Sequence, residues 1–386
     1  MIVYNKIWLD NQFKTEETAN AFFSNYITHS EKENIESLYP IGFYSPNFFI
    51  RIGLFILTVV IAGFSLGLLA LLFSDNIENS FKGIILFFGL AAYGMLEFFV
   101  QSKKHYRSGV DDALLWISAS SIIISLNLLF EISFLTNAII IFIVAGYFSV
   151  RFADWLMTCI TAIACIAVVF FLYLKIGMFA KFTVSFILMG VCSILYFFTK
   201  NIFKQNGYRH YYINGIVIEI TLLVGFYLAG NYFAITEMSN QFFHSLKENE
   251  SISLGWLFWG FTVAIPILYI WKGVKKKDVV LIRVGLILIA VMVFTIRFYH
   301  AVLPLETAMV LGGIFFIAVS YALTKYLATS KNGFTSAEIL KQSAQNKLNI
   351  EAVIISETFG NITEPVVAAT NFGGGSGGGA GASGEF

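Results

Sequence analysis

Among the ionisable residues that fall inside apolar runs, where a charge is costly, three are the first candidates for chemistry. Glu219 lies about two turns into one run, Arg283 lies about one turn into another, and Glu97 lies near the end of a third. A charge at the centre of a membrane-spanning helix costs on the order of 3 kcal/mol, so each is a functional candidate. Glu219 and Arg283 are at similar depth. One possibility is that Glu219 and Arg283 pair with each other. The alternative is that Arg283 reaches the lipid headgroups while Glu219 meets Asn214, Thr221 or water. For Arg283 we favour the headgroups.

A second polar group stands where the last two apolar runs meet. Arg297, His300 and Glu306 flank a short turn at Pro304. These side chains could form a polar cluster at the outer surface of a membrane. They could instead anchor the helix ends at the interface, which is the interpretation we favour.

Sequence motifs that would indicate an enzyme are absent. There is no His-Glu-x-x-His pair, no Gly-x-Ser-x-Gly elbow, no Walker A loop and no dinucleotide fingerprint. Cys159, Cys165 and Cys192 have no metal-ligand spacing, and the five histidines are scattered. We therefore predict no catalytic residues, no metal site and no cofactor, and a protein that is not an enzyme.

The composition indicates that these residues are carried by a membrane protein. The 386 residues are 57% hydrophobic and only 13% charged, with a net charge of +1 and a mean hydropathy of +0.75. A soluble domain is about a quarter charged. This excludes an ordinary soluble enzyme, a disordered chain and a nucleic-acid-binding protein, and it makes the lipid bilayer the first expected partner.

Ten apolar runs predict an all-α, multi-pass bundle, because each is close to the ~20 residues that cross a bilayer as a helix. The runs lie near 49–73, 81–100, 113–131, 134–150, 156–174, 182–199, 213–235, 254–271, 279–297 and 304–327. Lysine and arginine concentrate in alternate loops, with Lys175 and Lys181 as the exception. The positive-inside rule then places both termini in the cytoplasm, and Pro266 is the only mid-span proline.

The chain divides into four segments. Residues 1–46 are a cytoplasmic helical segment, 47–328 form the transmembrane bundle, 329–372 are a cytoplasmic C-terminal segment, and 373–386 are a glycine-rich tail. We expect no secretory signal peptide, because the first apolar run begins too late and is too long for one.

The sequence of the N-terminal segment predicts two short helices. The second helix is expected to begin with a capping box of Ser30 and Glu33 and to stop before Pro40. We expect both helices to lie against the cytoplasmic face of the bundle, with a docking surface for a partner as the alternative.

The glycine-rich tail has two interpretations. Its sequence is typical of a cloning junction, but glycine-rich endings that close on an aromatic residue also resemble those of some bacterial TPM-domain membrane proteins. We favour a native docking peptide, with Gly373, Gly377, Gly381 and Phe386 as its contact residues.

The layout and the run Gly109–Leu115, which reads Gly-Val-Asp-Asp-Ala-Leu-Leu, resemble uncharacterised multi-span bacterial membrane proteins. The resemblance implies no activity, although it suggests a bacterial inner membrane. In this run we expect Asp111 and Asp112 to cap a helix. Asp278 ends the basic run of Lys275 to Lys277 and could cap the next helix in the same way. We also expect Gly63-x-x-x-Gly67 to pack helices together inside the bundle.

Two functions remain open. The first is an accessory or assembly subunit of a membrane complex, with other membrane proteins as partners and the tail as the docking peptide. The alternative is a secondary transporter of a small or lipophilic solute. A water-filled cavity at Glu219 would favour transport, whereas a dry bundle with the tail on another chain would favour the accessory role.

Overall fold

The protein is described from a computed structural model of the chain. The described residues are 2–23, 26–72, 77–130, 132–177, 180–203, 206–243 and 254–299, with isolated helical positions at 310, 313–314, 317–318, 321 and 325. Over these ranges the chain forms twelve α-helices, one short 3-10 helix at Asn206–Tyr211 and no β-strand. The predicted tenth span at 304–327 lies outside the described residues, apart from those isolated positions.

The helices follow one another with short connections. They are α1 Lys6–Phe23, α2 His29–Leu38, α3 Phe48–Leu72, α4 Ile77–Gln101, α5 Val110–Phe130, α6 Phe134–Phe152, α7 Trp155–Leu174, α8 Ala180–Ile202, α9 Tyr212–Gly230, α10 Tyr232–Phe243, α11 Gly255–Lys276 and α12 Val279–Tyr299.

Nine of the described helices are long and apolar enough to cross a membrane: all except α1, α2 and α10. In each, at most 39% of the most apolar 18-residue window is buried inside the protein. Water would not tolerate so much outward-facing apolar surface, whereas lipid does. The chain is therefore an all-α, multi-pass membrane protein.

The closest helix packing joins neighbours in four hairpins: α4 with α5, α6 with α7, α8 with α9, and α11 with α12. The connections of all four hairpins lie at the same end of the bundle, which we call the basic end because Lys103, Arg151, Lys200 and Lys275 cluster there. Its assignment to the cytoplasm remains a prediction from charge.

Two of these hairpins turn in only two residues, and both turns have the same design. Ala153 and Lys277 each adopt the left-handed conformation that ends a helix. Asp154 accepts a hydrogen bond from the Met157 amide at 2.8 Å, and Asp278 accepts one from the Leu281 amide at 3.3 Å. An aspartate thus caps each following helix and also satisfies its free N–H groups.

Helix α1 and the residues before it lie against the basic end, and α2 packs on α1. Tyr4 and Leu9 are buried in the core that α4, α5 and α6 share. The Val3 amide donates to the Arg151 carbonyl oxygen at 2.9 Å. The expected capping box at Ser30 is wrong by two residues, because Thr28 is the N-cap of α2 and pairs with Glu31.

The predicted seventh span, 213–235, is not continuous. The helix α9 ends at Gly230, Asn231 has an extended backbone, and α10 begins at Tyr232. Helices α11 and α12 stabilise this break through their side chains. The Tyr232 amide donates to the Thr262 hydroxyl at 3.0 Å, so one amide freed by the break finds a partner outside its own helix.

Helix α3 stands at an edge of the bundle and packs against α4 and α5. No residue of its most apolar window is buried. Within the described part of the chain, Gly63 and Gly67 pack against no other helix, because a Cβ atom at either position would meet no described atom within 4 Å. No helix among the described ones covers this face of α3.

Candidate functional site

A lysine shared by three helices forms the centre of the candidate site. Lys200, in the last turn of α8, donates from Nζ to Glu219 Oε1 of α9 at 3.0 Å and to Asp278 Oδ2, before α12, at 2.6 Å. It also donates to the Tyr196 hydroxyl at 3.1 Å. A lysine at the C-terminal end of a helix is favoured by the helix dipole. The site therefore ties α8, α9 and α12 together at the basic end.

Of the two alternatives for Glu219 and Arg283, the pair is not formed. Arg283 lies on an exposed face of α12, one turn beyond Asp278, while Glu219 turns to Lys200. Exposure of Arg283 near the basic end agrees with an arginine that reaches the lipid headgroups. The position of Glu219 in its apolar run predicts its depth in the membrane. Its partner depends instead on which faces of α8, α9 and α12 meet.

A cavity of about 480 Å³ lies beside this lysine, between α8, α9, α11 and α12. Its polar lining includes Ser193, Tyr196, Lys200, Asn201, Lys272, Lys276 and Asp278. Leu222, Leu223, Phe226 and Leu281 form an apolar wall. Since the lysines and Asp278 lie at the ends of their helices, the polar side of the cavity is at the basic end.

Glu219 does not line this cavity, but its carboxylate binds the lysine that does. The Glu219 and Asp278 side chains are 16% and 18% exposed, and Lys200 is 33% exposed. The group is thus partly withdrawn from solvent. Burial raises the pKa of the Asp278 carboxyl, but hydrogen bonds from Lys200 and from the backbone of α12 outweigh it, so the pKa lies below its usual value.

Lys200, Tyr196, Asp278 and Lys272 are functional candidates that the sequence alone did not identify. The lysines lie at the ends of apolar runs, so they were used only to predict the orientation of the chain in the membrane. Asp278 was interpreted only as a helix cap. A lysine in the last turn of a span followed by an acid at the start of another span is the signal that could have found the pair.

The third intramembrane candidate, Glu97, belongs to a separate ion pair. Arg151 at the end of α6 donates from Nε to Glu97 Oε1 at 2.9 Å and from a guanidinium NH₂ to Oε2 at 3.1 Å. The Tyr93 hydroxyl donates to the same carboxylate at 2.7 Å, and Gln101 also donates to it. With its oxygens taken by three donors, Glu97 joins α4 to α6, and no cavity of useful size lies beside it among those described.

The Gly109–Leu115 run holds two acids in different roles. Asp111 accepts hydrogen bonds from the Arg107 and Ser108 amides, both at 2.8 Å, and so secures the turn before α5. Asp112 instead pairs with Arg51 of α3, with a guanidinium NH₂ 2.7 Å from Oδ2. This cluster surrounds only about 30 Å³ of free space, room for about one water, and we assign it a structural role.

The break at Asn231 forms a buried polar cluster far from the basic end. The Asn231 amide nitrogen donates to the Tyr227 hydroxyl at 3.0 Å and to the Thr295 hydroxyl at 3.1 Å, and its oxygen accepts from the Ala234 amide at 3.1 Å. Asn231 is 1% exposed. Its side chain serves both as the cap of α10 and as a link to α12.

The remaining sequence candidates lie beyond the described part of the chain. His300, Glu306 and the tail contact residues Gly373, Gly377, Gly381 and Phe386 are outside it. Arg297 is described and lies in the last turn of α12. Among the described residues, no group of three or more His, Cys, Asp or Glu side chains is placed to hold a metal ion.

Comparisons with known proteins give no information about the role of the site. No protein-family model matches the sequence, and no curated protein or solved structure matches it significantly. The fold and the site together define a multi-pass α-helical membrane protein with a partly polar cavity between four of its helices.

Proposed function

We propose that the protein is a secondary transporter of a small solute that enters the cavity beside Lys200. The observation that carries the proposal is the cavity itself, since a packed bundle without internal space could not hold a solute. Glu219 does not itself line the cavity, but it is linked to it, because Lys200 of the lining binds the Glu219 carboxylate at 3.0 Å. The membrane we expect is a bacterial inner membrane, with the basic end and both termini in the cytoplasm.

Two features of α9 support transport over a static role. Transporters commonly use helices interrupted within the membrane, and α9 gives way to α10 at Asn231. The basic end of α9 is held through Glu219 and Lys200, while the other end is held through Asn231 and Thr295. One helix thus connects the cavity to the opposite end, and its break provides a place where it can bend.

The proposal requires that the cavity become accessible from both sides of the membrane. In a variant without the three native cysteines, Ser193→Cys would place a thiol in the cavity lining, about 10 Å from the level of Lys200. We expect a membrane-impermeant thiol reagent to label it from either side. The matched control is Asn201→Cys at the basic end, which should react from that side only.

Labelling of Ser193→Cys from the basic end alone would overturn transport by alternating access. A Glu219→Gln variant that folds normally and shows the same two-sided labelling rates would remove Glu219 from the mechanism. Neither experiment requires the solute to be known.

An accessory subunit of a membrane complex is the second candidate, and the open edge helix α3 favours it. The face that carries Gly63 and Gly67 meets no other described helix, and small residues of this spacing allow close approach of helices. The glycine-rich tail as a docking peptide belongs to this proposal. Purification from native membranes should then recover a stoichiometric membrane protein whose retention is lost in Gly63→Leu with Gly67→Leu but not in Gly53→Leu.

A further inference from the structure

The charges around the cavity do not cancel one another. Three lysines and one aspartate line it. Lys200 is already shared between Glu219 and Asp278, so these acids do not serve the other two lysines. Within the described part of the chain, Lys272 and Lys276 form no ion pair, although both line the cavity. The mouth of the cavity therefore carries uncompensated positive charge.

These two lysines are one helical turn apart on the same face of α11, so their ammonium groups can approach a single anion together. Lys275 lies between them in the sequence but faces elsewhere, with its Nζ 5.3 Å from the centre of the Trp271 ring. An ammonium group is a point charge that suits phosphate and carboxylate oxygens. A cationic ligand would be repelled at the same mouth.

The inner wall of the cavity is different from its mouth. Leu222, Leu223 and Phe226 of α9 face Leu281 of α12 across the space, and the Tyr269 ring lies beside them. An inorganic anion would leave this apolar wall unused, whereas an anion with an apolar body would cover it. Removal of that apolar surface from water favours binding.

We propose that this cavity binds an amphipathic anion, with its phosphate or carboxylate between Lys272 and Lys276 and its apolar body against α9. This inference rests on the proposed function, because it names the class of solute that the transporter would carry. A soluble organic anion and an anionic lipid of the adjoining leaflet share this chemistry.

The probe that separates the charge from the apolar body is phenyl phosphate, compared with inorganic phosphate and with neutral benzyl alcohol. The full chain in phosphatidylcholine nanodiscs would be heated with each, and the shift of the unfolding temperature measured. We expect the largest shift from phenyl phosphate. Lys272→Ala with Lys276→Ala should weaken its apparent affinity at least about tenfold, because each lysine near the surface contributes on the order of 1 kcal/mol to anion binding.

The control is Lys275→Ala, which removes one positive charge from the same end of α11 and should leave the affinity unchanged, and Lys276→Ala alone, which also removes one charge, should weaken it. Equal losses in the control and in the double variant would overturn the proposal. So would a shift from inorganic phosphate as large as that from phenyl phosphate, or no shift from phenyl phosphate in phosphatidylcholine.

Nanodiscs that contain phosphatidylglycerol distinguish the two sources. If the shift from phenyl phosphate disappears there in the wild-type chain, the anionic lipid competes for the cavity and is the ligand. If it persists, the ligand is a soluble anion. One-sided labelling of Ser193→Cys with intact phenyl phosphate binding would refute transport alone, so the two proposals can fail separately.

Discussion

Replacement of Lys200 by methionine is the sharpest test of the site, because it leaves two acids without their shared cation. The Nζ atom lies 3.0 Å from Glu219 and 2.6 Å from Asp278. Loss of one partner from a fully buried ion pair costs about 3–5 kcal/mol. Lys200 is 33% exposed, so solvent screens part of the effect, and we expect about 2–3 kcal/mol of lost unfolding free energy. Equilibrium unfolding in mixed detergent micelles measures it.

The control for Lys200→Met is Lys272→Met, which removes a lysine from the same cavity without breaking an ion pair and should change stability by less than about 0.5 kcal/mol. Addition of Glu219→Gln and Asp278→Asn to Lys200→Met should recover most of the loss, since the stranded charges are then gone. Equal effects of the two lysine variants, or no recovery in the triple variant, would refute the bridge between three helices.

Three further outcomes follow from individual contacts. Gly109→Ala should destabilise the protein by about 2 kcal/mol or more in the same unfolding assay, because Gly109 has φ +91° and a Cβ atom would lie 2.1 Å from the Arg51 carbonyl oxygen; unchanged unfolding would contradict that packing. Asn231→Ala should cost about 1–3 kcal/mol, since Thr295 loses a buried partner, and a smaller loss than that from Asn201→Ala would contradict the role of the break. The low pKa of Asp278 means that its charged form stabilises the fold above the pKa of the unfolded chain and that this stabilisation is lost as the pH falls through the folded pKa. The stability gap between wild type and Asp278→Asn should therefore close below about pH 4, and a gap constant with pH would contradict the pairing.

The helical bundle was predictable because its signal is local. In lipid, an apolar run of about 20 residues satisfies its backbone hydrogen bonds by forming a helix. Nine of the ten predicted runs therefore coincide with described long helices. The loops in which lysine and arginine concentrate could also be recognised from the sequence. Asp278 was recognised as a helix cap because the basic run before it ends in an acid, and this is confirmed by its hydrogen bonds to α12.

The break in the seventh span and the partner of Glu219 could not be predicted in the same way. The break at Asn231 depends on hydroxyl groups of Thr262 and Thr295, which belong to helices far along the chain. Arg283 and Lys200 both lie near the level of Glu219, and only the packing of α8 against α9 chooses between them. Sequence spacing gives depth in the membrane, whereas neighbours around the bundle follow from tertiary packing.

The central claim is that the cavity beside Lys200 is a solute site reached in turn from both sides of the membrane. The most direct measurement is the rate at which Ser193→Cys is labelled from the side opposite the basic end, with and without Glu219→Gln. We predict labelling from that side in the otherwise wild-type protein and a clear change of its rate when Glu219 loses its charge. Labelling confined to the basic end in both proteins would contradict the claim.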